Sequence, residues 1–114
     1  MPAKDKLDLL QGTLDLILLK LLRAGAANGW DLTQHIQLVS KGALDVNYGS
    51  IYPALRRLEA RGFVTAKWGA SENNRRARFY SLTAAGRKQL DVERESWERF
   101  AGALGLILRT ERAP

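Results

Sequence analysis

Asn47-Tyr-Gly-Ser-Ile-Tyr-Pro-Ala-Leu-Arg-Arg-Leu-Glu-Ala-Arg-Gly62 is the stretch from which the fold can be read. At about 100° per residue, Ile51, Leu55 and Leu58 fall on one side of a helical wheel, because spacings of four and seven residues return to the same face. Gly49, Pro53, Arg56, Arg57 and Ala60 fall on the other side. Pro53 has no N–H and suits a helix only in its first turn, which predicts a start near Tyr48 to Ser50, capped by Asn47 or Ser50. Gly62 is a natural stop. Burying the three aliphatic side chains turns two arginines outward among small residues that let another surface come close. A DNA major groove is wide enough to admit such a helix. An ordinary amphipathic surface helix with solvated arginines has the same pattern.

The rest of the composition narrows the choice. The chain has 114 residues and 46% apolar content, which suits one domain with a modest core. It has no cysteine, which excludes disulfides and thiolate metal sites. His35 is the single histidine, so a zinc site is not expected and His35 reads as a surface or half-buried polar residue. The opening Met-Pro-Ala-Lys-Asp-Lys lacks the apolar core of a secretory signal, and no apolar run approaches the roughly 18 residues of a membrane span. A soluble, cytoplasmic protein without cofactor or membrane partner is expected.

The net charge is +6, and it is unevenly placed. Residues 56–88 hold nine basic and two acidic residues, a net +7, whereas the remainder holds nine basic and ten acidic residues, a net −1. A concentrated cationic patch is the electrostatic footprint of a phosphate-binding surface.

Upstream of that patch two helices are expected. Thr13 to Arg23 can be capped by Thr13, with Asp15 in its first turn. Leu14, Ile17, Leu18, Leu21 and Leu22 would share one face, while Leu16 and Leu19 point elsewhere. A helix apolar on two sides needs two covers, the second from this chain or from another copy. After Gly25 and the turn Asn28-Gly29, a second helix from Trp30 to Val39 places Leu32, Ile36 and Val39 together. Downstream of Gly62, Phe63 to Trp68 and Ala77 to Leu82 are rich in β-favouring residues. Gly69 to Arg76 between them is turn-like with a basic end. A lone hairpin is marginal in water, so this one must pack on the helices. Three helices followed by a two-stranded hairpin make a winged helix-turn-helix of mainly α (α+β) class. Its third helix would enter the major groove, and Asn73, Asn74, Arg75 and Arg76 would reach phosphates or the minor groove.

From the Thr83 cap onward, Leu90, Trp97 and Leu104 recur every seven residues. Phe100, Ala101, Ile107 and Leu108 widen the stripe, and Gly102 and Gly105 weaken the helix. Pairing with a second copy through this stripe, with Leu16 and Leu19 of the first helix joining it, is favoured over folding back on its own domain. The organisation expected is a DNA-binding domain over residues 1–82 and a dimerisation helix over 83–114. A twofold dimer presents two reading helices to a palindromic site.

Four blocks carry a family resemblance. They are Leu10-Gln-Gly-Thr-Leu-Asp-Leu-Ile-Leu-Leu19, Asn28-Gly-Trp-Asp-Leu32, Gly49-Ser-Ile-Tyr-Pro-Ala-Leu-Arg-Arg-Leu-Glu59 and Asn73-Asn-Arg-Arg-Ala-Arg-Phe-Tyr-Ser-Leu-Thr-Ala-Ala-Gly86. In this order and spacing they resemble the PadR family of bacterial transcription regulators, from about Leu7 to Leu90. The single-helix tail is similar to the family's compact subgroup. Trp30 stands where the family often has tyrosine, and either ring can pack beside the first helix. The resemblance implies a dimeric repressor, nucleoid-associated through DNA binding, dimerised by its last helix. Some relatives are released from DNA by phenolic acids or flat cationic drugs. Those that sense flat drugs hold them between aromatic residues at the dimer centre, which makes Trp97 the candidate contact for a planar aromatic effector.

The residues expected at DNA are Asn47, Tyr48, Gly49, Ser50, Tyr52, Pro53, Arg56 and Arg57 of the helix, and Asn73, Asn74, Arg75, Arg76 and Arg78 of the hairpin. The sequence leaves open which of Arg56 and Arg57 reads bases. The competing function is a winged-helix protein-interaction module without DNA binding, against which the concentrated charge counts. An enzyme is not expected, because the chain has no phosphate loop, no nucleophile elbow and no paired acid and base.

Overall fold

The computed structural model describes residues 11–112, without the side chains of Gln11 and Tyr48. Leu7 to Leu10 of the family-like block and the Tyr48 side chain therefore lie outside the described residues. The order is α1 (Gln11–Leu22), β1 (Ala27–Asn28), α2 (Gly29–Val39), α3 (Tyr48–Ala60), β2 (Val64–Ala70), β3 (Arg76–Leu82) and α4 (Ala84–Arg109). The sheet is antiparallel in the order β1-β3-β2. The expected hairpin is β2 and β3, in register from Val64 opposite Leu82 to Ala70 opposite Arg76. The third strand, β1, pairs Ala27 with Tyr80 and Asn28 with Phe79. Two residues are too few to show an alternating pattern, so the segment reads only as a turn. Asn28 serves both roles, since its side chain caps α2 by accepting from the Asp31 N–H.

One core joins every layer. Leu14, Leu18 and Leu22 of α1 meet Leu32 and Ile36 of α2, Ile51, Leu55 and Leu58 of α3, Val64 and Tyr80 of the sheet, and Leu90 of α4. The two-sided apolar character of α1 is real, but both covers come from the same chain, since α1 packs against α3 and against α4. The buried side is centred on Leu14, Asp15, Leu18, Leu19 and Leu22, while Leu16, Ile17 and Leu21 are half-buried at its edge. Leu19 and Leu90, expected at a two-copy seam, are both 0% exposed within the single chain. Val39, expected beside Leu32 and Ile36, is exposed at the end of α2. His35 is exposed.

The start of α4 is fixed to the sheet. The Thr83 hydroxyl accepts from the Gly86 N–H and donates to the Gly62 carbonyl, and the Thr83 N–H donates to the Phe63 carbonyl. A Cβ on Gly86 would overlap the Phe63 carbonyl oxygen, so only glycine fits this crossing. Past Leu90, α4 leaves the core. Val92, Trp97, Phe100, Leu104, Leu106, Ile107 and Leu108 are all exposed on it. At 1.5 Å per residue the helix spans about 39 Å, which carries its C-terminal part well beyond Leu90. Among the described residues no helix is long and apolar enough to cross a membrane.

Candidate nucleic-acid interface

The cap that starts α3 is Asn47, whose side chain accepts from the Gly49 N–H at 2.7 Å. From that start the helix rotates Ile51, Ala54, Leu55 and Leu58 inward, each 0% exposed. Gly49, Ser50, Tyr52, Pro53 and Arg56 share the exposed side. α3 begins at Tyr48, within the expected range, but Pro53 then lies inside the helix rather than in its first turn. The N–H it lacks would have met the Gly49 carbonyl, an exposed position where water can take its place.

The two arginines separate. Arg56 is exposed. Arg57 turns to α1, where its guanidinium donates to the Asp15 carboxylate at 3.4 Å. Asp15 is nearly fully buried rather than a first-turn residue of α1. Burial raises its carboxyl above the ordinary value of 3.8, and the Arg57 charge opposes that rise. Arg57 thus ties α3 to α1.

The wing tip is tighter than the sequence implied. It runs from Ser71 to Arg75, closed by a bond from the Ser71 N–H to the Arg75 carbonyl and by Asn74 in the left-handed region at φ 58°. Asparagine tolerates that conformation better than most residues. Asn73, Asn74 and Arg75 are exposed at the tip, and Arg76, also exposed, begins β3. Arg78 is engaged: its guanidinium donates to the Glu59 carboxylate of α3 at 2.9 Å. This pair pins the wing to the helix. Between them lies a cleft of about 370 Å³ lined by Tyr52, Arg56, Glu59, Trp68, Arg78 and Tyr80. Burial raises the Tyr80 hydroxyl pKa above 10.0, so this phenol stays a neutral wall of the cleft. Sequence reasoning missed Glu59, Trp68 and Asp15. Asp15 and Glu59 take their roles from partners distant in the chain, and Trp68 takes its place from the hairpin register that sets it opposite Arg78.

A second surface lies along α4. Trp97 and Phe100 approach at 5.8 Å between ring centroids. With Leu16 they line an open groove of about 500 Å³ between α1 and α4. Across Trp97 a second groove of about 390 Å³ is lined by Leu16, Ile17, Leu21, Ile36, Val39 and Leu44 among others.

Residues 18–92 match the transcriptional regulator PadR-like family. The chain belongs to this family. Its backbone is similar to that of a transcriptional regulator from Clostridium thermocellum, with a TM-score of 0.76 and 26% identity over 83% of this chain and 89% of that one. It is equally similar to a PadR-like transcriptional regulator from Bacillus cereus, with a TM-score of 0.76 and 25% identity over 90% and 97% of the two chains. The Negative transcriptional regulator PadR of Bacillus subtilis (strain 168) is 29% identical over 73 residues, covering 64% of this chain and 40% of that protein. The chain thus matches two fifths of the length of that regulator. Membership of the PadR family makes this a transcription regulator of winged-helix, DNA-binding type, in a family whose members are generally not enzymes.

Proposed function

We propose that this PadR-family protein represses transcription by binding a palindromic operator as a homodimer in the bacterial cytoplasm. The observation that carries this reading is the division of α3: its aliphatic residues are wholly buried, and its exposed side collects Ser50, Tyr52 and Arg56 beside the cationic wing. Arg56 reads or grips the groove, while Ser50 and Tyr52 add hydrogen bonds. Gly49 and Pro53 let the backbone come close, Asn47 fixes the start of the helix at the DNA, and Asn73, Asn74, Arg75 and Arg76 hold the flanking strand. Arg57 and Arg78 serve by positioning, since each is committed to a carboxylate of its own chain. Dimerisation uses the projecting part of α4, through Trp97, Phe100, Ala101, Leu104, Ile107 and Leu108, with half-buried Leu16 beside them. Such a large apolar surface is rarely left uncovered.

Equilibrium titration of the duplex upstream of its own gene, repeated at rising salt, tests this. Specific binding with a slope near 0.9 per phosphate contacted supports it. Affinity no better than for unrelated duplex would favour a protein-interaction module instead. A planar aromatic effector would stack on Trp97, in grooves whose charged lining is balanced between the acidic Glu93 and Glu98 and the basic Lys20 and Arg94. Planar cationic dyes should quench tryptophan emission in the parent, and equal binding by Trp97→Ala would remove that element of the proposal.

A further inference from the structure

We propose that Trp68 is a DNA contact of the wing, its ring packing on a backbone deoxyribose while Arg76 holds the neighbouring phosphate. This rests on the DNA-binding reading above and adds a residue outside its set of contacts.

The hairpin register places Val64, Ala66, Trp68 and Ala70 on one face with Leu82, Tyr80, Arg78 and Arg76. At the base of that face Val64 and Tyr80 are buried against the helices. Further out, the same face reaches past the core and leaves Trp68 55% exposed. The ring is a large apolar surface within an otherwise cationic, polar one, and the arginines beside it leave more than half of the residue open to a partner.

Its neighbours define the chemistry of that partner. The Arg76 guanidinium lies over the ring, 4.7 Å from its centroid, and Arg76 has no ion pair among the described residues. Arg78 stands 6.0 Å from the same centroid, but its charge is met by Glu59. The Glu59 carboxylate, which would repel a phosphate, is neutralised by the same contact. Among the described residues neither Arg56, which lines the cleft from α3, nor Arg76, which lies over the Trp68 ring on the wing, has an ion pair, and the aromatic surface of Tyr52 and Trp68 lies between them. A nucleic-acid strand alternates charged phosphates with apolar sugar faces, which is the order of features across this cleft. An acidic protein segment would satisfy the rims but supplies no repeating apolar face for the ring.

The test uses the parent, Trp68→Ala and Trp68→Phe with a short random-sequence duplex over a salt series. A sugar contact is independent of base sequence and releases no counterion. Trp68→Ala should weaken binding about tenfold at every salt concentration with an unchanged slope, because the apolar ring is no longer taken out of water on binding. Trp68→Phe should retain most of the affinity. Unchanged binding by Trp68→Ala overturns the proposal. So does a loss accompanied by a shallower slope, which would mean that the ring merely props the arginines. A parent that binds no duplex would instead sink the DNA-binding reading itself. Fluorine NMR of the fluorotryptophan-labelled parent covers the case in which Trp68→Ala fails to fold. The resonance missing from Trp68→Phe should lose its solvent isotope shift when duplex is added, and a shift that persists overturns the contact.

Discussion

Replacing Gly86 by alanine probes the joint on which both proposed surfaces depend. The added methyl would overlap the Phe63 carbonyl oxygen and lie 2.7 Å from the Leu82 Cδ1. The obstacle is backbone, so no rotamer change relieves it. To make room, α4 must move off the sheet, straining or breaking the bond from the Thr83 N–H to Phe63 at 3.0 Å and the Thr83 cap on the Gly86 N–H at 3.0 Å. Overpacking of this kind costs about 1–3 kcal/mol, and each weakened hydrogen bond about 1 kcal/mol. Alanine's better helix propensity returns at most about 1 kcal/mol. A net loss of about 2–4 kcal/mol is expected, or a fall in melting temperature of roughly 10–30 °C for a domain of this size. The assay is urea denaturation followed by circular dichroism at fixed protein concentration. Gly102→Ala is the matched control, because a Cβ there meets nothing within 4 Å, and it should gain up to about 1 kcal/mol. A Gly86→Ala protein as stable as the parent, or stabilised like Gly102→Ala, would refute the steric joint.

Three further outcomes follow from the ion pairs and the projecting helix. Arg57→Ala should cost about 2 kcal/mol at neutral pH, less than a fully buried pair because the Arg57 side chain is 37% exposed, and Asp15→Asn should recover much of it. The sign of its pH dependence is fixed by the raised Asp15 pKa: the folded state holds the proton more tightly than the unfolded one. The favourable increment from this group is thus complete below 3.8 and is lost as pH rises through the folded value. Removing Arg57 takes away the opposing cation, so the deficit of Arg57→Ala should shrink on mild acidification, as denaturation at two pH values would show. In DNA titrations Arg56→Ala should reduce the salt slope by about one, whereas Arg57→Ala should leave the slope unchanged. Ile107→Asp places a charge on exposed apolar surface of α4 and should convert a dimer to monomer in sedimentation, weakening association at least about a hundredfold while helix content is kept.

What the sequence disclosed followed local spacing. The faces of α3 came from Ile51, Leu55 and Leu58, and the hairpin from two β-rich runs around a turn. The Asn47 and Thr83 caps were equally legible, whereas Thr13, expected as a cap, lies inside α1. What it hid depends on contacts between distant segments. Asp15 and Arg57 are 42 residues apart, so Asp15 read as a first-turn acid and Arg57 as a second DNA contact. Glu59 and Arg78 are 19 residues apart, so their pairing exists only once the wing folds against α3. Leu19 and Leu90 carried correct apolar periodicity, but spacing alone cannot say whether a stripe meets its own chain or another. Pro53 was placed by a rule about first turns, whereas an exposed carbonyl four residues earlier tolerates it inside the helix.

Hydroxyl-radical footprinting of the region upstream of the protein's own gene tests the central claim most directly. Two protected patches are predicted, their centres about one helical turn or a whole multiple of it apart, with both patches lost in Arg56→Ala. A single patch, a uniform protection that ignores sequence, or a pattern unaffected by Arg56→Ala would contradict a dimer that reads DNA through α3.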